Sequence, residues 1–566
     1  MHHVCRDSGT HEPDQGQPGG LKPTSLHFYF IWKSPPRFKG IMKRRTFLQG
    51  LMGTMLLGPK VYTQPLESIP FSLFEPELPF AHILRDSSRV LAGWKTTSKP
   101  RKPIEILIAG GGIGGLSCAR ILERHQKNYL LLEASTFWGG TSASHTFDGQ
   151  AAPLGAHYLV TPPSEAVDVL EFLKEAGVVT GIENQLPIYH KKYVLDELET
   201  RERSLSQGRW QAGIGEYFKG PSTRLRKFYR FMDFLSEFRG EDSRRWFSLP
   251  SHTSSKDPRA LDLFQISFES YLRRADLLDD EVRYVTEYAC NDDYGSTIGE
   301  VSAWAGLHYF CCRPRSHEQV ILSSQMGNGY LVKNLVKKIP APKRQLQNLL
   351  CSVRKKEDQW ECLIYTKNGF HVQPCNALVF CGKSHIPRRL FPENPEIREL
   401  LPEALEQAPW LVSQILLRTV PEGLLRPLRW DNVSKESRSV GYVYSNFFQE
   451  KIKDPVVLTH FYPTKAARGI SGSKLGAMKS AELGNLVLED FQSMNPELIP
   501  YVQHVILRRH VHGMGIPKPG WILPSLREHR LPQNFYMANS DSFGLPLFEE
   551  AFQAGVHTAH ALVMNQ

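Results

Sequence analysis

"IEILIAGGGIGGLSCARILE", residues 104–123, decides the fold. Ile104, Ile106, Leu107, Ile108 and Ala109 form a short aliphatic run interrupted only by Glu105, the pattern of a strand buried on both faces of a parallel sheet. Gly110, Gly112 and Gly115 follow in G-x-G-x-x-G spacing. The first glycine permits a tight turn, the second lets a pyrophosphate approach the backbone, and the third lets helix pack on strand. Beyond the turn, Leu116, Ala119 and Leu122 with Cys118 and Ile121 make the apolar face of a helix, whose N-terminus offers unpaired N–H groups to phosphate. "NYLLLEAS" then reads as a second strand ending at Glu133, 23 positions after Gly110 and near the offset of about 20 at which a carboxylate reaches ribose hydroxyls. A glycine-rich turn alone can serve packing only; the flanking strand, helix, second strand and acid together predict a dinucleotide-binding unit.

The continuation "EASTFWGGTS", with Gly139 and Gly140, and "PLGAHYL" at 153–159 resemble the flavin-containing amine oxidase and phytoene desaturase superfamily. A second anchor lies about 400 residues on, where "NFYMANSDSFGLPLFEEAFQAGVHTAHALV", 534–563, resembles that family's closing strand and flavin-facing helix. "MGNGYLVKNLVKKI" at 326–339, "NLLCSV" from 348 and "NALVFCGKSHIP" at 376–387 are similar to the segments between. The resemblance implies an α/β fold: a Rossmann-like FAD-binding domain with a parallel sheet of glutathione-reductase type, and an inserted α+β substrate domain. It implies one FAD, held by Gly110, Gly112, Gly115, Glu133, Gly139 and Gly140, with Leu350 at the adenine and Asp541 at the ribityl chain. The chain departs from the family at Thr141, where Arg is usual, and at Asn539-Ser540, where Gly and an acid are usual.

The implied organisation assigns 104–160, 320–390 and 505–566 to the FAD-binding domain, and 161–319 and 391–504 to the substrate domain. Residues 61–103, ending in "WKTTSKPRKP", read as an arm and linker. "PPSEAVDVLEFLKEAG" predicts a helix with Ser164 as cap candidate, Val167, Leu170 and Leu173 on its apolar face and Gly177 as stop. "TRLRKFYRFMDFLSEF" predicts a charged amphipathic helix, and "SVGYVYSNFF" and "DPVVLTHFY" predict strands.

The formal charge is +10, but residues 1–103 hold fifteen Lys/Arg against seven Asp/Glu, leaving a near-neutral body. A broad nucleic-acid-binding face is therefore not expected. No apolar window reaches the length of about 18 residues that a membrane span needs. The nine cysteines form no C-x-x-C and no Cys/His ligand spacing, so no metal site is expected. "MKRRTFLQGLMGTMLLG", 42–58, with Arg44 and Arg45, resembles a twin-arginine export signal, placed at 42–60 after an extension at 1–41 that reads as unstructured. That resemblance implies contact with the twin-arginine export machinery and a periplasmic location, or a cytoplasmic one if the signal is not functional. An incidental Arg pair in a basic tail is the alternative.

A flavin supplies the hydride acceptor, so the protein must orient a small-molecule substrate and exclude competing reactions. "YACNDDYGST" at 288–297 reads as a turn carrying Asp292, Asp293 and Tyr294. Trp304 and His308 follow, four apart on one helix face; Tyr294 and Trp304 are substrate-wall candidates, a packed aromatic helix being the alternative. His512, just ahead of the closing motif, and Lys383 in "CGKSH" are the catalytic candidates. The expected activity is oxidation of an amine or activated C–H, with oxygen or another acceptor reoxidising the flavin. A polyene desaturase or isomerase and a non-catalytic FAD-binding accessory protein are the alternatives.

Overall fold

The computed structural model describes residues 69–76, 82–97, 100–183, 186–195, 201–213, 221–313, 320–521 and 531–564. The twin-arginine-like stretch and the extension before it lie outside them. Ile104–Ala109 is the central strand of a seven-stranded sheet. It pairs in parallel with Tyr129–Leu132 on one side and with the end of Gly369–Phe380 on the other. Ile106, Leu107 and Ile108 have no exposed surface, because helices or loops cover both sheet faces. Phe380 pairs with both Ala109 and Met537, so the closing strand Phe535–Met537 joins the parallel set beside the glycine turn. "NLLCSV" falls in Leu349–Lys356, part of an antiparallel extension with Gln359–Thr366.

The glycine-turn helix Ile113–Arg124 packs along the closing helix Phe548–Met564. A Cβ on Gly555 would lie 2.1 Å from the Gly114 carbonyl oxygen, and one on Gly114 would lie 2.1 Å from that of Ala538. These glycines let two helices and the closing strand approach to backbone contact. Residues over 400 positions apart are thereby fixed around one turn.

A second, eight-stranded sheet carries Val502–Gly515 between Phe71–Leu73 and Gln407–Leu417, then Val456–Pro463 and shorter strands. The strand containing His512 therefore belongs to this sheet, although the sequence boundary at 505 assigns it to the cofactor domain. The arm is also more than a linker. Phe71–Leu73 pairs in parallel with Val505–Leu507, and Ser87–Thr96 packs its Gly93 within 2.8 Å, measured from a built Cβ, of the Phe370 ring. The helices Thr223–Glu237, Phe268–Arg274, Asp280–Tyr294 and Ala303–Cys311 share one hydrophobic core with Ala408, Trp410 and Val412 of the eight-stranded sheet.

Three local readings are corrected. The predicted turn at 288–297 is the last two turns of Asp280–Tyr294, ended by Gly295 at φ 60° rather than by an Asx motif. The predicted helix from 162 begins at Val167 with Ala166 as N-cap; the Ser164 hydroxyl bonds to Glu165 instead, and Val167 is 67% exposed. "SVGYVYSNFF" supplies only a three-residue strand, Tyr442–Tyr444, before a 3-10 turn.

Candidate active site

Gly110 sits at φ 120°, Gly139 at 111° and Gly140 at 57°, conformations that glycine adopts freely. The Gly139 N–H donates to the Gly111 carbonyl at 2.8 Å, which lays the paired-glycine turn across the first turn. A Cβ on Gly115 would stand 1.9 Å from the Gly110 carbonyl oxygen, whereas one on Gly112 would meet nothing within 4 Å. The third glycine is thus required by packing and the second opens onto free space. The helix beyond begins with no acidic residue in its first turn, leaving its positive end available to an anion.

Glu133 ends the second strand with its carboxylate accepting from the Gly111 and Ser135 N–H groups, both at 2.7 Å. The segment 345–348 lies alongside: the Glu133 N–H donates to Gln345 O at 2.9 Å, and the Gln347 N–H to Ser135 O at 3.1 Å. Leu350 itself is 5% exposed in a core cluster with Leu390 and Phe391, so its side chain packs the sheet. Asp541, 5% exposed, accepts from the Ser384 N–H at 3.1 Å and Gln407 Nε2 at 2.9 Å through Oδ2 alone. Its Oδ1, Asn539 Nδ2 and Ser135 Oγ are buried without a partner. Unpaired buried donors and acceptors at both ends of the frame, with free space over Gly112, fit FAD, whose phosphates and hydroxyls would satisfy them.

The segment 153–159 packs on the paired glycines, the Ala156 N–H donating to Thr141 O at 2.8 Å. It presents Tyr158, whose hydroxyl donates to Asp292 Oδ2 at 2.8 Å. Tyr158, Tyr288, Asp292, Asp293, Tyr309 and Asp431 all keep part of their surface accessible. Yet burial is the first cause raising the pKa of each. Groups both reachable and poorly solvated line a recess enclosed by protein. Burial raises Asp292 to about 6. Asp293 is held well above the carboxylate range by burial and then by Asp292, and Asp431 by burial and then by Glu202 and Asp292. Arginines pair with the flanking acids: Arg201 with Glu202 and Arg313 with Glu549, each at 2.7 Å.

The substrate-wall candidates take other places. Tyr294 is fully buried with its hydroxyl on Ala305 O at 2.9 Å, and Trp304, 1% exposed, stacks on Phe264 and His308. Both are core, because their directions face the neighbouring helices. Asp292 and Asp293, two and one positions before Tyr294 on the same helix, face the recess. The catalytic candidates come together outside it: Lys383 Nζ donates to Gly513 O at 2.7 Å, beside His512, whose ring lies 4.0 Å from that of His385.

A family model described as an NAD(P)-binding Rossmann-like domain matches residues 108–176. Curated 15-cis-phytoene desaturases from Capsicum annuum and Arabidopsis thaliana are 33% and 32% identical over 95 and 94 residues. The match takes in 17% and 16% of this chain and only 16% and 17% of those proteins. In three dimensions the chain is similar to putrescine oxidase bound to putrescine, with TM-score 0.58 and 14% identity over 82% of this chain and 100% of that one. Cyclohexylamine oxidase from Brevibacterium oxydans gives 0.58 and 14% over 82% and 99%. A Rossmann-type match at the glycine turn and a structural match along four-fifths of the chain concur: the protein has the fold seen in these amine oxidases, built on a Rossmann-like unit.

Proposed function

We propose that the protein is an FAD-dependent oxidoreductase that oxidises a small cationic amine. The observation that carries the reading is the acidic, tyrosine-lined recess set against the cofactor frame. Asp292 and Asp293 lie between Tyr158, from the segment packed on the paired glycines, and Glu549, in the first turn of the closing helix. A polyene would lay hydrocarbon against three carboxyl groups and strip them of water, a costly burial. An ammonium group supplies them a partner, and tyrosine faces add cation–π attraction.

FAD, when bound, supplies the hydride acceptor. The protein's own residues do the rest. Gly110, Gly112 and the helix start would hold the pyrophosphate, Glu133 a ribose, and Asn539 and Asp541 the ribityl hydroxyls. Asp292 and Asp293 orient the substrate nitrogen. Asp292, whose pKa burial raises to about 6, also takes its proton, so that the free amine lone pair is available as the C–H bond breaks. The purified protein is expected to release one FAD, identified by mass, and to bleach anaerobically with amines from a panel containing amines, amino acids and polyenes. Bleaching by polyenes alone would replace the amine reading with a desaturase. The accessory-protein alternative draws on Thr141 and Asn539-Ser540; it predicts bound FAD that no member of the panel bleaches.

No second G-x-G-x-x-G with its strand occurs: "GIGEYFKG" and "GMGIPKPG" lack the third glycine in place. NADH and NADPH are therefore expected to leave the flavin oxidised in an anaerobic stopped-flow trace. Rapid bleaching by either would make the protein a reductase.

Export through the twin-arginine machinery to the periplasm is part of the proposal. Changing Arg44 and Arg45 together to Lys is expected to retain flavin-loaded protein in the cytoplasm. Unchanged fractionation of the double variant would dismiss the signal.

A further inference from the structure

At the carboxyl end of the return strand Gly369–Phe380 the chain gathers cationic and titratable groups that the proposed reaction does not use. Lys383 and His385 come from the loop just after the strand, Arg389 from the short helix Pro387–Leu390 that follows, His512 from the end of Val502–Gly515, and Arg85 from the end of the arm's 3-10 turn, His82–Arg85. The two imidazole rings stand 4.0 Å apart, tilted by 35°. Lys383 is fixed beside them by its bond to Gly513 O. Asp541 is the acid with the largest influence on His385, and its Oδ2 is engaged by Ser384 and Gln407. His385 Nδ1 is buried without a partner.

We propose that this cluster is a binding site for a doubly charged oxyanion, a phosphate monoester in chemical class. Arg389 and Arg85 offer planar forks suited to phosphoryl oxygens, Lys383 a point charge, and each imidazole an N–H. Without an anion the arrangement is self-repelling. His385 is pushed down to about 4 by burial and then by His512, Arg389 and Lys383. His512 is lowered by burial and then by Arg85, Lys383 and Arg389. A bound dianion opposes that repulsion and raises the pKa of both rings. The body of the chain is near neutral, so this convergence is local rather than a consequence of overall charge. The carboxyl end of the parallel strands is also where open α/β sheets place ligands.

Inorganic phosphate is the probe, titrated calorimetrically into the purified protein with and without FAD, while histidine ring resonances are followed by NMR. Saturable binding with a Kd near or below about 1 mM is expected. It should be accompanied by a rise of about one unit or more in the pKa of both rings. Arg389→Gln and His385→Gln should each weaken it about tenfold, the loss expected when one charge-assisted contact is removed. Acetate, singly charged, should bind far more weakly. The site is overturned if phosphate shows no saturation, if acetate binds as well, or if the two variants bind as the parent does. Loss of phosphate binding on FAD loading would assign the cluster to the cofactor's own pyrophosphate and equally refute a separate site. Since binding is read directly, failure of the amine reading leaves these outcomes unchanged.

Discussion

Gly112→Val is expected to yield a folded protein that carries no FAD. A side chain at Gly112 enters space with no protein atom within 4 Å of its Cβ, so the substitution meets no steric resistance in the polypeptide. That same space lies over the start of Ile113–Arg124, where the pyrophosphate must approach the backbone. The expected measurement is loss of flavin absorbance in the purified variant, with a thermal midpoint within about 1 °C of the FAD-free parent, the shift corresponding to no more than about 1 kcal/mol. Gly115→Ala is the opposite case. Its Cβ would stand 1.9 Å from the Gly110 carbonyl oxygen, so helix and strand must separate and the protein is destabilised whether or not FAD is present. The contrast separates cofactor exclusion from misfolding. A Gly112→Val protein with stoichiometric FAD would show that the pyrophosphate lies elsewhere.

Those two glycines also show what a sequence can state in advance. The strand, turn, helix and acid from Ile104 to Glu133 are written in local periodicity and spacing, and the structure builds them there. Partners across layers are not written that way. "YACNDDYGST" is singled out by its composition, but its Asp and Tyr residues on one helix point about 100° apart per residue. Nothing local says that Asp292 turns toward Tyr158 while Tyr294 turns to the Ala305 carbonyl. Asp431 joins the recess from a strand in the other sheet, and no pattern within "DNVS" marks it. His385 stands two places after Lys383 in a quoted motif. Its partner His512 is 127 positions away, and only the juxtaposition of two sheets makes the pair visible. The three-residue strand Phe71–Leu73 is too short to carry any period; its conformation is supplied by pairing with Val505–Leu507.

Asp292→Asn and Asp293→Asn are expected to lose amine turnover and gain stability together. Both carboxyl groups have pKa values raised by burial, so the folded protein holds protons that the unfolded chain releases near its ordinary value of 3.8. Where the folded state binds more protons than the unfolded one, stability falls as pH rises. For Asp292 that fall spans the window from 3.8 to about 6, and above it the folded protein carries a buried charge. At pH 7 asparagine at 292 removes a buried charge at nearly constant volume, and at 293 it replaces a carboxyl whose ionisation burial disfavours, so each variant should melt about 1 °C or more above the parent, a gain of order 1 kcal/mol. The catalytic consequence has the reverse sign. Losing a carboxylate that pairs with a desolvated ammonium costs about 2–5 kcal/mol of binding. The kcat/KM for the best amine should therefore fall roughly 100-fold or more, with FAD content unchanged. In the parent, amine kcat/KM should drop as pH falls through about 6, where Asp292 takes its proton. The Asp292→Asn profile should lack that limb. Variants as active as the parent, or an unaltered acid limb, would remove these residues from amine recognition. Variants that lose both activity and stability would mean that the recess holds structural carboxylates whose partners have been misjudged.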